Sequence, residues 1–339
     1  MQPTQTRSRP LSTTTSEVRE SYYGLPVMKA PHWRWLIIVY FFLGALAGGS
    51  FTIATLADLF SKDRALVRAG HYLSLVTAGI SPVLLALDLG RPDRAHHMFR
   101  IVKLKSPMSL GSWALLTLGM MAGPVSFLEF VAHVTGRDLF RRTRRVLSVL
   151  GLPASIFVAG YTGVLLAATN VPLWARNYLL LGPTFIASAF SNSLAALSLL
   201  LRLTGSGRPE TETALARAET LSLATELGLV VAGLVRLGNQ REPLTGGRWG
   251  RIFWPVTLGG GMLLPLGLQL SARGRGPGSA GGRRSLAAVL ALVGGFTLRM
   301  LMVLAGRDSA RDPKYYLAYT RGTNGTRGAG RPDGREGGR

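Results

Sequence analysis

Long apolar runs separated by short charged gaps fill most of this 339-residue chain. A hydrocarbon core roughly 30 Å thick needs about 20 apolar residues in a helix. Eight runs reach that length: Trp33 to Leu59, Leu66 to Asp88, Leu110 to Val134, Val146 to Ala168, Tyr178 to Leu201, Leu215 to Val235, Ile252 to Ser271 and Leu286 to Ala305. They are continuous in Leu, Ala, Val and Gly and lack the alternation of an outer-membrane strand, so they predict helices. The expected fold is all-α, an integral membrane bundle of eight transmembrane helices. An even number of crossings puts both termini on one face, here face A, with face B opposite. The predicted organisation is an N-terminal tail and interfacial segment (1–32), a transmembrane domain (33–305) and a Gly/Arg-rich tail with the composition of a disordered segment (306–339).

Small residues recur at helix-packing spacing in the first run, where Gly44, Gly48 and Gly49 permit close approach of a neighbour. Pro82, Pro124, Pro153, Pro183, Pro255 and Pro265 fall within the runs and predict bends or freed carbonyls.

Charge changes the picture less than its size suggests. The net charge of +22 comes from basic residues that flank the apolar runs and form no stripe interleaved with aromatics. They fit lipid headgroups and topology rather than nucleic acid. Positive charge is nearly balanced between Arg91 to Lys105 on face A and Arg137 to Arg145 with Arg273 to Arg284 on face B, so orientation stays open. The N-terminus lacks the apolar core of a cleavable signal. With no cysteine, the chain cannot hold an iron–sulfur cluster through thiolates. Of its five histidines, His32, His96 and His97 fall near face A and His71 and His133 near face B. Two stacked bis-histidine haems cannot be assembled, and no haem is expected.

Titratable and hydrogen-bonding side chains are few enough to name. Asp88 and Arg91 sit at the face A end of the second run, close enough to pair or to serve proton exchange. Toward the same face lie Tyr40, His96, His97, Ser109, Trp113, Tyr161, Asn170 and Trp174. Glu226 and Arg299 fall near the middle of the sixth and eighth runs, where isolated charge is costly, and they are expected to meet. Glu129 and His133, four apart, are expected to pair at face B, and Arg236 to reach headgroups.

Five stretches carry a resemblance: YYGLPVMKAPHWRW (Tyr22 to Trp35), DLGRPDR (Asp88 to Arg94), SPMSLGSW (Ser106 to Trp113), GYTGVLLAATNVPLW (Gly160 to Trp174) and GGFTLRMLMVLAG (Gly294 to Gly306). In this order the chain resembles the NrfD/polysulfide-reductase membrane-subunit family. The resemblance implies an eight-helix subunit of the inner membrane, incomplete as an enzyme by itself. Such a subunit exchanges electrons and protons between the quinone or menaquinone pool and an iron–sulfur, ferredoxin-like partner. That partner in turn serves a catalytic subunit, of which molybdopterin enzymes are one class. It casts Asp88, Tyr161, Glu226 and Arg299 as candidates for proton chemistry, and Tyr40, Arg91, Ser109, Trp113, Asn170 and Trp174 as candidate quinone contacts. A quinone site needs donors to two carbonyl oxygens and a titratable group within reach. Two other classes stay open: a proton- or ion-coupled secondary transporter, which midplane charge and broken helices would suit, and a passive membrane anchor.

Overall fold

The computed structural model describes residues 31–315 except 32, 62, 91, 101, 104, 273–276 and 313. Among them every regular element is helical, and eight segments are long and apolar enough to cross a bilayer. The first four crossings are α1 (Trp35–Phe60), α2 (Arg64–Asp88), α3 (Pro107–Thr135) and α4 (Arg141–Ala167). A short α5 (Pro172–Arg176) leads into α6 (Tyr178–Leu203) and α7 (Pro209–Leu237), and the latter continues through a 3₁₀ turn into α8 (Glu242–Thr245). The seventh crossing comprises α9 (Gly247–Ile252), a π-helical stretch (Phe253–Leu263) and α10 (Leu264–Ser271). The eighth lies within α11 (Pro277–Arg311).

Several helices overrun their apolar windows by a turn or more. α4 takes in Arg141, Arg142, Arg144 and Arg145, which composition alone places in a loop. α11 runs on to Arg311, past the expected start of the tail at Gly306. Tertiary contacts hold that last stretch: Asp308 accepts from Trp249 Nε1 at 2.6 Å and Arg248 at 2.8 Å, and Arg307 donates to the Trp33 carbonyl at 3.0 Å. The Arg307 bond also brings the start of α1 and the end of α11 together on face A. The loop between α2 and α3 contains a 3₁₀ helix, Pro92–Phe99.

α1 and α6 are the most enclosed crossings, whereas α2, α3 and the two crossings from Pro209 to Ser271 are buried over a third of their apolar windows. α1 packs on α2, α4 and α6, and α6 in turn meets α4, α7 and α11. Small residues set this arrangement. A Cβ on Gly48 would strike the α4 backbone at Ser155 and Ala159, and one on Gly49 would strike Ala189 and Ser193 of α6. The two helices therefore approach α1 at van der Waals range, as glycine permits in a bilayer. Large apolar side chains such as Val76, Val83, Phe127, Phe130 and Leu150 point outward, as a lipid solvent requires. Hydroxyls turn inward and satisfy themselves on their own helix: Thr52 on the Gly48 carbonyl (2.9 Å), Thr77 on Leu73 (2.7 Å), Ser81 on Thr77 (2.7 Å).

The seventh crossing departs from a simple proline bend. Pro255 supplies no N–H to an α-helical ladder, and the backbone widens to π over Phe253–Leu263. Gly261 and Gly294 meet there with no room for a Cβ on either. Thr257 donates to Thr297 across the same contact at 2.9 Å. Segments of π-helix are rare and concentrate at functional positions.

Candidate functional site

Three polar clusters among the described residues hold or adjoin the candidate side chains, one at each face and one midway. The first lies at the face A end of α1–α4. Tyr40 in α1, Trp113 in α3 and Tyr161 in α4 each sit about five to six residues inside their helix ends, so at 1.5 Å per residue all three lie roughly 8–9 Å deep. Tyr161 lies directly on Gly111, where a Cβ would overlap its ring, and its phenol is within electrostatic range of Tyr40. Both tyrosines are buried, and neither hydroxyl makes a hydrogen bond among the described residues. The Trp113 indole N–H and the Asp88 Oδ1 are buried without a partner among those residues. Arg34 is the cation that Asp88 senses. Arg91, its expected partner, lies outside the described residues.

Other candidates on this face do different work. Ser109 accepts from the Lys103 N–H at 3.1 Å and donates its own N–H to the Ser106 cap, so it orders the loop entering α3. Trp174 is fully enclosed. Its Nε1 donates to the Met302 carbonyl at 2.8 Å, its ring stacks on Trp33 at 5.2 Å, and Gly306 leaves room for it. It pins α5 to α11. Asn170 is exposed in the α4–α5 link and does not join Tyr161. His96 and His97 are exposed on the 3₁₀ helix with their rings 4.3 Å apart, edge to face.

Midway through the bundle, Glu226 of α7 and Arg299 of α11 converge on α6. The expected direct meeting is replaced by a relay through serines. Ser191 donates to Glu226 Oε2 at 2.5 Å, and Arg299 Nη1 donates to Ser188 Oγ at 2.8 Å and to the Gly295 carbonyl at 3.0 Å. The guanidinium also lies 5.3 Å from the Phe185 ring centroid. Glu226 Oε1, Asn192 Oδ1 and two guanidinium nitrogens of Arg299 are buried with no partner among the described residues. Groups in that state normally hold water. The signal for this cluster in the sequence is the serine-rich run SAFSNS (188–193) on α6, which apolar-length reading passes over.

The third cluster closes the face B end of α1–α4, and the sequence points to only parts of it. Arg144 lies 2.8 Å from Glu129, 2.7 Å from Asp138 and 3.5 Å from Asp58. Arg64 and Arg145 also bind Asp58, at 2.5 and 3.1 Å. The expected Glu129–His133 pair does not form: Glu129 turns inward to Arg144, and His133 bonds Arg68. A buried guanidinium offers the carboxylate more than an exposed imidazole. His71 is buried with Nδ1 4.0 Å from Glu129. At the opposite face, Arg236 is exposed and donates its Nε to the Arg176 carbonyl at 3.0 Å. Among the described residues no group of three or more His, Cys, Asp or Glu is spaced to hold a metal ion.

Fold and polar interior together define a multi-pass helical membrane protein. The sequence profile described as polysulphide reductase, NrfD matches residues 26–308, and the chain belongs to that family. Similar proteins include a polysulfide reductase chain of Wolinella succinogenes, 26% identical over 81% of this chain and 94% of that protein. A protein NrfD homolog of Haemophilus influenzae is 25% identical with the same coverage. A selenate reductase subunit of Mesobacillus selenatarsenatis is 26% identical over 71% of this chain and 67% of that protein.

Proposed function

We propose that this chain is the quinone-reactive membrane subunit of a multi-subunit oxidoreductase in the inner membrane, passing electrons and protons between the quinone pool and an iron–sulfur partner. The observation that carries the reading is the polar side chains at similar depth near the face A end of α1–α4: the buried Tyr40 and Tyr161, with the Trp113 N–H and the Asp88 Oδ1, both buried without a partner among the described residues. Leaving such groups buried and unpartnered costs about 1–3 kcal/mol each, which a bound molecule can recover. A quinone suits them because its two carbonyl oxygens accept from phenol and indole donors. Its two-electron reduction also takes up two protons, which calls for a titratable group such as Asp88 within reach.

Electrons must enter or leave through another chain, because this one has no cysteine for a cluster. The names of its relatives, subunits of polysulfide and selenate reductases, support a complex whose soluble substrate is chosen by a separate catalytic subunit. Glu226, Ser191, Ser188 and Arg299 form a hydrated relay that carries protons at mid-membrane. The rival transporter reading draws on the same midplane charge and the π-helical crossing but gives no role to the face A donors.

The test uses the intact complex and a short-chain menaquinol analogue. Asp88→Asn and Tyr161→Phe are expected to lower analogue oxidation at least tenfold, on the scale of a lost acid–base group. Unaltered binding and turnover in both variants would refute the redox reading and leave a passive anchor. In sealed vesicles, an unchanged proton signal for Glu226→Gln with turnover intact would remove that residue from any proton route.

A further inference from the structure

We infer that Glu219 and Gln269 form a second buried proton station, linking the water at face B to Glu226; this rests on the proton-carrying role given to Glu226 above. Glu212, Glu219 and Glu226 recur every seven residues on α7, which places them on one face of the helix. At 1.5 Å per residue successive carboxylates are about 10 Å apart, so they step from the face B end of the bundle to its middle.

Glu219 is fully enclosed. Its Oε2 accepts from Gln269 Nε2 at 2.8 Å, while its Oε1 and the Gln269 Oε1 are buried with no partner among the described residues. Two neighbouring acceptors without donors make a seat for water or for a shared proton. Glu219 makes no ion pair among the described residues. Arg202, at the same end of the bundle, binds Glu212 at 2.9 Å, the Gly281 carbonyl, and Ser285 at 3.3 Å. Glu212 therefore balances Arg202, and both remain partly exposed, with 22% and 12% of their side chains accessible. A carboxyl that makes no ion pair is expensive inside a bilayer.

Between the two buried carboxyls the lining turns dry and small: Leu223, Ala195, Ala288 and Ala291, with Leu266 packed alongside. This gap conducts only while water occupies it. In each passage the Glu219 carboxylic acid gives its proton through that water to the Glu226 carboxylate. The Glu219 carboxylate is then reprotonated from face B past Arg202 and Glu212. One proton moves per passage and no electron does.

The test measures protons moved per menaquinol analogue oxidised by the intact complex in sealed vesicles, using a trapped pH dye and an uncoupler control. Glu219→Gln is expected to lower that ratio at least twofold, and Glu219→Asp to restore part of it; a ratio is not moved by a fault that merely slows turnover. A ratio lowered by Glu226→Gln but unchanged by Glu219→Gln overturns this inference and leaves the role of Glu226 standing. A ratio unchanged by Glu226→Gln removes the proposed relay itself. Should Glu219→Gln not assemble, the unmodified complex decides: dicyclohexylcarbodiimide, which attacks protonated carboxyls in apolar surroundings, is expected to label Glu219 and lower the ratio in step. No adduct on Glu219 by mass spectrometry would overturn the inference.

Discussion

Gly111 is the most exacting position at the face A site, because its missing side chain is the space that Tyr161 fills. An alanine there would put a methyl carbon inside the phenol ring, and the ring has little freedom to retreat, with Phe157 5.7 Å away on the same helix and α3 in front. Overpacking of this kind costs about 1–3 kcal/mol. The collision is with one side chain, so the cost belongs to the pair. In a Tyr161→Ala background, Gly111→Ala should cost almost nothing, leaving a coupling of about 1–3 kcal/mol between the two positions. The four proteins of the cycle are compared by the midpoint of thermal loss of folded protein in detergent, with menaquinol-analogue oxidation of the assembled complex alongside. Gly111→Ala should lower both midpoint and turnover, and the added loss of midpoint should vanish once Tyr161 is gone. Equal destabilisation in both backgrounds would show that Gly111 is needed for its backbone and not for the room it gives Tyr161.

Two further outcomes follow from the charge cluster at face B. Arg144→Met should cost about 3–5 kcal/mol, since it strands the buried Glu129 without its guanidinium, whereas Asp58 keeps Arg64 and Arg145; membrane accumulation should fall sharply, and near-parental accumulation would contradict the clamp. Asp138, in the α3–α4 loop, ties acid stability to the same arginine: burial alone would raise its pKa, but the hydrogen bond and charge of Arg144, with Arg64 and Arg141, hold it below the ordinary 3.8. A depressed carboxyl stabilises the fold above its unfolded pKa and loses that contribution as pH falls through the folded value. Thermal midpoints of the parent and Asp138→Asn should therefore differ steadily from neutral pH down to about 4 and converge only below it; a difference that shrinks already between pH 7 and 5 would refute this assignment.

Much of the bundle was legible in the chain because membrane insertion imposes a length rule on each segment separately. The eight crossings, the close approaches at Gly48 and Gly49 and the gathering of Tyr40, Trp113 and Tyr161 at one end all follow from position along a helix. Side-chain partners obey no such local rule. Trp174 had the composition of a ligand contact, yet its N–H is consumed by Met302, 128 residues away in the chain. Asn170, adjacent in sequence to the same helix end, faces outward.

What the sequence determined by itself is therefore the set of helices, their ends to within about three turns, and the approximate depth of the polar groups it singled out, because burying backbone in lipid leaves no other economical solution. What only the tertiary structure decided is who shares each polar group. Glu129 chose Arg144 over the neighbouring His133, and Glu226 and Arg299 were joined through Ser188 and Ser191 rather than directly. Helix rotation and packing distance set those outcomes, and both depend on the small residues of α1, α6 and α11 acting together across the bundle.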